Sequence, residues 1–487
     1  MILKIVSKYG LAAHLGLLAA FPVAFSLFLD ANTLGCVLLW LSLFAAIWVV
    51  FNPSVRPGEH STDARTRVFV AIIRDPAFYF FVLAIGFAVI RWLNSGIALW
   101  YDAEQSVWSV KQAAAPNMPA STLDAGFLPM TVTVALGVIV IGVRHALGLS
   151  ARIFCGLTAV FLVGVGGLVA SVYASLGTYP TFLQAARATF VHTPFGGTPF
   201  GVFLVLAIAF GMAAECRKWS YARIPYVIAV AGTASGLVFF APPAAVCVYL
   251  LAMLLFALFA FTYCARVGSM GGFARAAVLT VMGLSIPALL IMALAVPDLQ
   301  QFKLEGLDLE KAVPVEYALL KDTLSRISKA MWLERPWCGT GVGAFGLHVP
   351  FLAVKADWSV LPPHATNAIS GYWTLLAERG IVGCSLLAVG LGILLWSWGA
   401  RLVEAFLYVR GNDEMDAFIF ACPPVVWTAP IVVGLAVAEL FYSNAFASPA
   451  AVFAFTVPLV LSAASFPRNV IPTTGQAEDP AQDPEGT

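Results

Sequence analysis

Long apolar stretches follow one another along the chain, and short polar segments separate them. A transmembrane helix needs about 20 predominantly apolar residues. The stretches therefore predict an all-α polytopic membrane protein with about twelve transmembrane helices and one large outer loop between helices 9 and 10. The predicted spans are 9–29, 33–51, 77–99, 126–143, 153–175, 198–214, 224–241, 244–264, 276–296, 378–398, 418–438 and 448–465.

The pattern divides the chain into four segments. Helices 1 to 9 occupy residues 1–296, the outer loop occupies 297–377, and helices 10 to 12 occupy 378–466. The last segment, 467–487, is rich in Pro, Asp and Glu and has little apolar surface to bury, so we expect a disordered tail.

The distribution of basic residues predicts the orientation. Short connections on one side hold most of them, whereas those on the other side hold only Lys111 and Arg187. Cytoplasmic loops carry the excess of Lys and Arg, so both termini are predicted to be cytoplasmic. The residues on the predicted inner side are Arg56, Arg65, Arg67, Arg74, Arg144, Arg152, Arg217, Lys218, Arg223, Arg266, Arg275, Arg401 and Arg410.

The composition supports this class and excludes others. Of 487 residues, 60% are hydrophobic and 11% are charged, a balance that a soluble domain does not keep on its surface. The net charge of +1 gives no basic excess for binding nucleic acid. The eight cysteines form neither a readable disulfide framework nor a Cys-x-x-Cys metal pair, and no cofactor is predicted.

The outer loop contains the most informative pattern. From Tyr317 to Leu333, apolar residues recur at helical spacing and predict an amphipathic helix across the outer mouth of the protein. The glycine-rich segment that follows is incompatible with a regular helix and allows close approach of another backbone. Its glycines are Gly339, Gly341 and Gly343.

Four short motifs in this region carry a family resemblance. They are Arg326, then Pro336-x-x-Gly339-x-Gly341-x-Gly343-x-Phe345, then His364-x-x-Asn367, then Leu376-Ala377-Glu378-x-Gly380-x-x-Gly383. In this order the motifs resemble the segment shared by the bacterial O-antigen ligase and polymerase superfamily, with a weaker echo at residues 187–195. The specific match covers about a fifth of the chain.

This resemblance implies a reaction and a location. A family member transfers a glycan from an undecaprenyl-pyrophosphate carrier to a sugar hydroxyl, with inversion and without a metal, at the periplasmic face of the bacterial inner membrane. The acceptor is lipid A-core in a ligase and a growing lipid-linked glycan in a polymerase. One departure stands out, because the place where relatives carry a Ser-Arg pair reads Phe240-Ala241-Pro242-Pro243-Ala244.

Arginines are the candidates for holding the pyrophosphate, because a guanidinium can bind two phosphate oxygens at once. Arg326, on the predicted amphipathic helix, is the first candidate, and its alternative is a solvated loop cation. Arg187 lies in a short outer loop, where it alternatively contacts lipid phosphate. Arg91 lies inside the third span, so a partner or a cavity is expected unless it snorkels outward. Arg187 or Arg91 would supply the charge lost with the Ser-Arg pair.

His364 is the candidate general base, since imidazole titrates near neutral pH and this residue precedes a membrane helix. Asn367 would orient the histidine or the substrate, or alternatively cap a helix. His192 and His348 are second choices. Glu378 and Arg379 are adjacent at a helix start, and we expect only a local pair of little consequence.

Two other functional classes fit a chain of about twelve helices. A secondary transporter more often has two related halves, and the halves of this chain do not look alike. A non-catalytic membrane component of a polysaccharide export complex would explain the missing Ser-Arg pair. Retention of Arg326 and His364 speaks against that alternative.

Overall fold

A computed structural model describes residues 2–25, 29–51, 60–102, 107–115, 117–122, 125–175, 315–353, 371–411 and 449–464, and isolated positions between 228 and 277. The first of these ranges contain helices α1 (Ile2–Phe25), α2 (Ala31–Phe51), α3 (Ser61–Ile73), α4 (Pro76–Leu93), α5 (Phe127–Ile141) and α6 (Leu149–Ser175). The later ranges contain α7 (Val315–Glu334), α8 (Phe345–Ala353), α9 (Gly371–Gly411) and α10 (Pro449–Ala464).

Four of the described helices are long and apolar enough to cross a membrane. They are Ala31–Phe51, Pro76–Leu93, Phe127–Ala146 and Tyr372–Glu404, and they coincide with predicted spans 2, 3, 4 and 10. Shorter apolar helices cover Tyr9–Phe25 and Ala151–Gly166. The predicted spans at 198–214, 224–241, 276–296 and 418–438 lie outside the described residues, as does most of 244–264, so the total of about twelve stays a prediction.

The third span ends earlier than predicted, and the connection after it is not helical. Helix α4 stops at Leu93, Asn94 is its C-cap, and strand β1 (Ser95–Asp102) starts at once. This strand pairs antiparallel with β2 (Val107–Lys111) and parallel with β3 (Ser121–Thr122). The expectation of an all-α chain is therefore wrong at this connection, which forms a three-stranded sheet in the order β2-β1-β3.

Helix α7 confirms the predicted amphipathic helix of the outer loop. Leu324, Ile327 and Met331 lie on its buried face. They pack against Phe345 of α8 and Ala377 of α9, so that the three helices share a small hydrophobic core. This core holds α7 and α8 against the beginning of α9, which is long and apolar enough to cross a membrane.

Helix α9 is interrupted at Gly380, whose φ of 63° and ψ of −170° are not helical. Almost only glycine adopts this conformation. The chain therefore turns at Gly380 between a short first part of α9 and its long apolar part.

Candidate functional site

The glycine-rich loop binds to the turn in α9 through its backbone. The Thr340 N–H donates to Ala377 O at 2.8 Å, and the Gly341 N–H donates to Glu378 O at 3.1 Å. In the opposite direction, the N–H groups of Ile381 and Val382 donate to carbonyls of the loop, Pro336 O at 2.8 Å and Trp337 O at 3.0 Å. Two motifs separated in the sequence are thus parts of one structural joint.

Glycine is required at this joint because the two backbones touch. A Cβ on Gly339 would lie 2.5 Å from Glu378 O, and a Cβ on Gly380 would lie 2.4 Å from Trp337 O. Gly339, Gly341 and Gly343 also have positive φ values of 73°, 114° and 79°. A side chain at these positions would therefore overlap neighbouring atoms and would also force a residue other than glycine into a backbone conformation with positive φ.

The side chain of Glu378 contributes a further connection. Its Oε1 accepts hydrogen bonds from the Gly343 N–H at 2.9 Å and from the Phe345 N–H at 3.4 Å. Phe345 is the first residue of α8, and a negative charge at a helix N-terminus is favourable. The expectation that Glu378 and Arg379 form only an inconsequential local pair is therefore wrong.

The outer sheet joins the same structure from the other side. The Val342 N–H donates to Ala120 O at 3.0 Å, and Val342 O accepts from the Thr122 N–H at 2.9 Å. The Ser121 hydroxyl donates to Arg91 O at 3.1 Å, at the end of α4. The sheet thereby fixes the glycine loop relative to the helix that carries Arg91.

A cavity of about 170 Å³ lies below this joint, between α4, α5, α9 and α10. Its walls are mostly apolar and include Phe80 and Phe87 of α4, Leu136 of α5, and Leu387 of α9. Phe80, Phe87 and Leu387 are only half-buried, so the cavity reaches the surface of the described part of the chain.

Arg91 and Arg379 are the charged residues that line this cavity. The Arg91 side chain is buried, with only 4% of the residue exposed, so it does not snorkel outward. The sequence-based expectation of a cavity or a partner for Arg91 is confirmed. Among the described residues, no hydrogen-bond partner exists for Arg91 Nε or Arg379 Nε, although both atoms are buried.

Around the two arginines, the positive charges outnumber the negative charge. Arg379 repels Arg91, and Glu378 attracts both of them. With Glu378 ionised, the three side chains carry a net charge of +1. Buried charges are costly unless they are paired, and ionisable residues inside a membrane usually mark a functional site. The arrangement is therefore suited to an anion whose remaining part is apolar.

The other candidates from the sequence lie elsewhere. Arg326 projects from α7, its side chain is 79% exposed, and it pairs with Asp322 at 2.7 Å. It does not line the cavity, and its proposed role stays a prediction. Nδ1 of His348, a second choice as base, lies 3.0 Å from Ala344 O. Arg187, His192, His364 and Asn367 lie outside the described residues.

A second charged cluster lies at the opposite ends of α4 and α5. Asp75 precedes α4, and its carboxylate accepts hydrogen bonds from the Ala77 N–H at 2.9 Å and from Arg144 Nη2 at 3.3 Å. Arg144 Nε forms an ion pair with the same carboxylate at 2.9 Å. His145 Nε2 lies 2.6 Å from the same carboxylate. Burial alone would raise the pKa of Asp75, but the His145 hydrogen bond and the Arg144 charge hold this pKa below its usual value of 3.8. The cluster holds the two helices together at this end.

Comparison of the chain with protein-family models and with curated proteins finds no match.

Proposed function

We propose that this protein is a membrane glycosyltransferase that moves a glycan from an undecaprenyl-pyrophosphate donor to a sugar hydroxyl at the outer face of a bacterial inner membrane. The observation that supports it best is the pair formed by Arg91 and Arg379 at the head of an apolar cavity. A lipid pyrophosphate has the matching form, with an anionic head and a hydrocarbon tail. The resemblance of the sequence motifs to the O-antigen ligase and polymerase superfamily supports the same reaction.

The proposed step is an inverting displacement. The acceptor hydroxyl oxygen attacks the anomeric carbon, the bond between that carbon and the pyrophosphate oxygen breaks, and the leaving pyrophosphate takes the electron pair. The guanidinium groups of Arg91 and Arg379 stabilise the negative charge that develops on it. His364 is the proposed base that accepts the hydroxyl proton. The acceptor is lipid A-core or a growing lipid-linked glycan, as in a ligase or a polymerase respectively.

Donor binding tests the proposal most directly. The purified protein in nanodiscs should bind undecaprenyl pyrophosphate more tightly than undecaprenol, which has the same tail without the anionic head. Replacement of Arg91 by Gln should weaken binding about 10-fold or more, because hydrogen bonds to charged groups contribute about 1.5–3 kcal/mol. Arg91→Lys should restore only part of the affinity, since an ammonium lacks the planar fork.

The matched control is Lys329→Gln, which removes one positive charge from the exposed face of α7. It should leave the affinity unchanged. Equal binding of undecaprenyl pyrophosphate and undecaprenol, or wild-type affinity in a folded Arg91→Gln variant, would refute this assignment of the cavity. A separate assay tests the reaction itself. Transfer of a labelled glycan by the wild-type protein would identify an enzyme, whereas a transporter or a scaffold would transfer none.

A further inference from the structure

Glu378 takes part both in the joint with the glycine-rich loop and in the charged group beside the cavity. Through Oε1 it accepts hydrogen bonds from Gly343 and Phe345, and so anchors the glycine loop and the first turn of α8. Its backbone oxygen accepts another hydrogen bond from Gly341. Because the bonded groups of the loop are all N–H donors, the anchor depends on an acceptor oxygen at this position.

The same residue stands next to the arginines that line the cavity. Glu378 directly precedes Arg379 in the chain, and Arg379 and Arg91 line the same cavity. Charges interact more strongly in apolar surroundings than in water, so two neighbouring guanidinium groups there need a compensating negative charge. The carboxylate of Glu378 provides this negative charge, because Glu378 is the residue immediately before Arg379.

We propose that Glu378 is a positioning residue with two functions, as the anchor of the glycine loop and as a resident counter-anion of Arg91 and Arg379. As a counter-anion it competes with the ligand for the arginines and keeps the binding of a phosphate-bearing anion moderate. Such moderation favours release of a pyrophosphate product after transfer. The inference rests on the anion site of the proposed function, but it requires no glycan and no transfer reaction.

Substitution by Gln separates the two functions, because its side-chain carbonyl still accepts hydrogen bonds while the negative charge is lost. In nanodiscs, Glu378→Gln should bind inorganic pyrophosphate at least about 5-fold more tightly than wild type, the lower end of typical coupling between linked sites. Amide hydrogen exchange at residues 339–345 should stay near wild type. A purely structural role predicts that affinity is unchanged or lower.

Glu378→Asp provides the converse test, because it keeps the charge and withdraws the carboxylate from the loop. This variant should have an affinity near wild type and faster amide exchange at residues 339–345. Glu334→Gln, which removes an exposed acid at the end of α7, is the control and should change neither quantity.

The inference is overturned by wild-type or weaker pyrophosphate affinity in Glu378→Gln, by an altered affinity in Glu378→Asp, or by a wild-type protein that binds no pyrophosphate. If Glu378→Gln does not fold, an altered pyrophosphate affinity in Glu378→Asp still overturns the inference. Pyrophosphate binding with the expected pattern, in a protein that transfers no glycan, would instead refute the proposed function and leave this inference standing.

Discussion

Replacing Gly380 by Ala should open the joint between the glycine loop and α9, whereas the same change at Gly392 should not. Both glycines belong to α9, and both substitutions add one methyl group. Gly380 has a φ of 63° and a ψ of −170°, a conformation that costs a residue with a side chain about 1–3 kcal/mol. In the described part of the chain, no atom outside the adjoining backbone of α9 lies within 4 Å of a Cβ built on Gly392.

Steric overlap adds to the cost at Gly380. Its new Cβ would lie 2.4 Å from Trp337 O and 2.5 Å from Gly339 N, which are backbone atoms. Overpacking of this kind costs about 1–3 kcal/mol, so the two effects together predict about 2–6 kcal/mol. Ala at Gly392 should instead be neutral or stabilise the helix by up to about 1 kcal/mol.

Amide hydrogen exchange in nanodiscs measures the difference. The N–H groups of Ile381 and Val382 donate across the joint to Pro336 and Trp337, so they report its opening. A loss of 2 kcal/mol corresponds to exchange about 30-fold faster, since each 1.4 kcal/mol is tenfold. Equal protection of these amides in the two variants would refute the reasoning, as would similar losses in both.

Three further variants test other residues. Asp75→Asn should cost about 1–3 kcal/mol because it leaves the partly buried Arg144 and His145 without their counter-ion, and a thermal unfolding midpoint equal to wild type would argue against this. Because the folded-state pKa of Asp75 lies below the unfolded value near 3.8, its stabilisation is complete above that pH and should be lost on further acidification, as unfolding titrations between pH 6 and 2 would show. Arg326→Lys should reduce glycan transfer if the Arg326 guanidinium grips pyrophosphate, and unchanged transfer would assign it to the solvated face of α7. His364→Ala should lower the transfer rate about 100 to 10,000-fold at normal protein yield, and a rate near wild type would remove it as the general base.

Several features of the fold were predictable because they depend on local pattern. The apolar runs predicted the four described membrane-crossing helices, and the spacing of Leu324, Ile327 and Met331 predicted the buried face of α7. The outer sheet was missed because the apolar Ile97 and Leu99 extended the third predicted span. Asn94-Ser95-Gly96 is a turn signal that would have ended this span at Leu93.

The candidate site was only partly predictable. A charge within a membrane span is costly wherever it lies, so the sequence by itself required a cavity or a partner for Arg91. The sequence did not show that Arg379 lies beside Arg91, because the two residues are distant in the chain and only packing of α4 against α9 brings them together. Glu378 was underrated for the same reason, since its hydrogen-bond donors belong to a distant loop.

Local chemistry thus determined which segments are apolar, where helices form, and which positions need glycine. Tertiary structure decided which of these segments meet. The glycine motif and the Glu378 motif form one joint because the positive φ values of Gly339, Gly341 and Gly343 let N–H groups of this loop reach acceptors on α9. The donating N–H groups are those of Thr340, Gly341 and Gly343. Such pairing depends on the relative placement of distant segments, which hydrophobic periodicity does not encode.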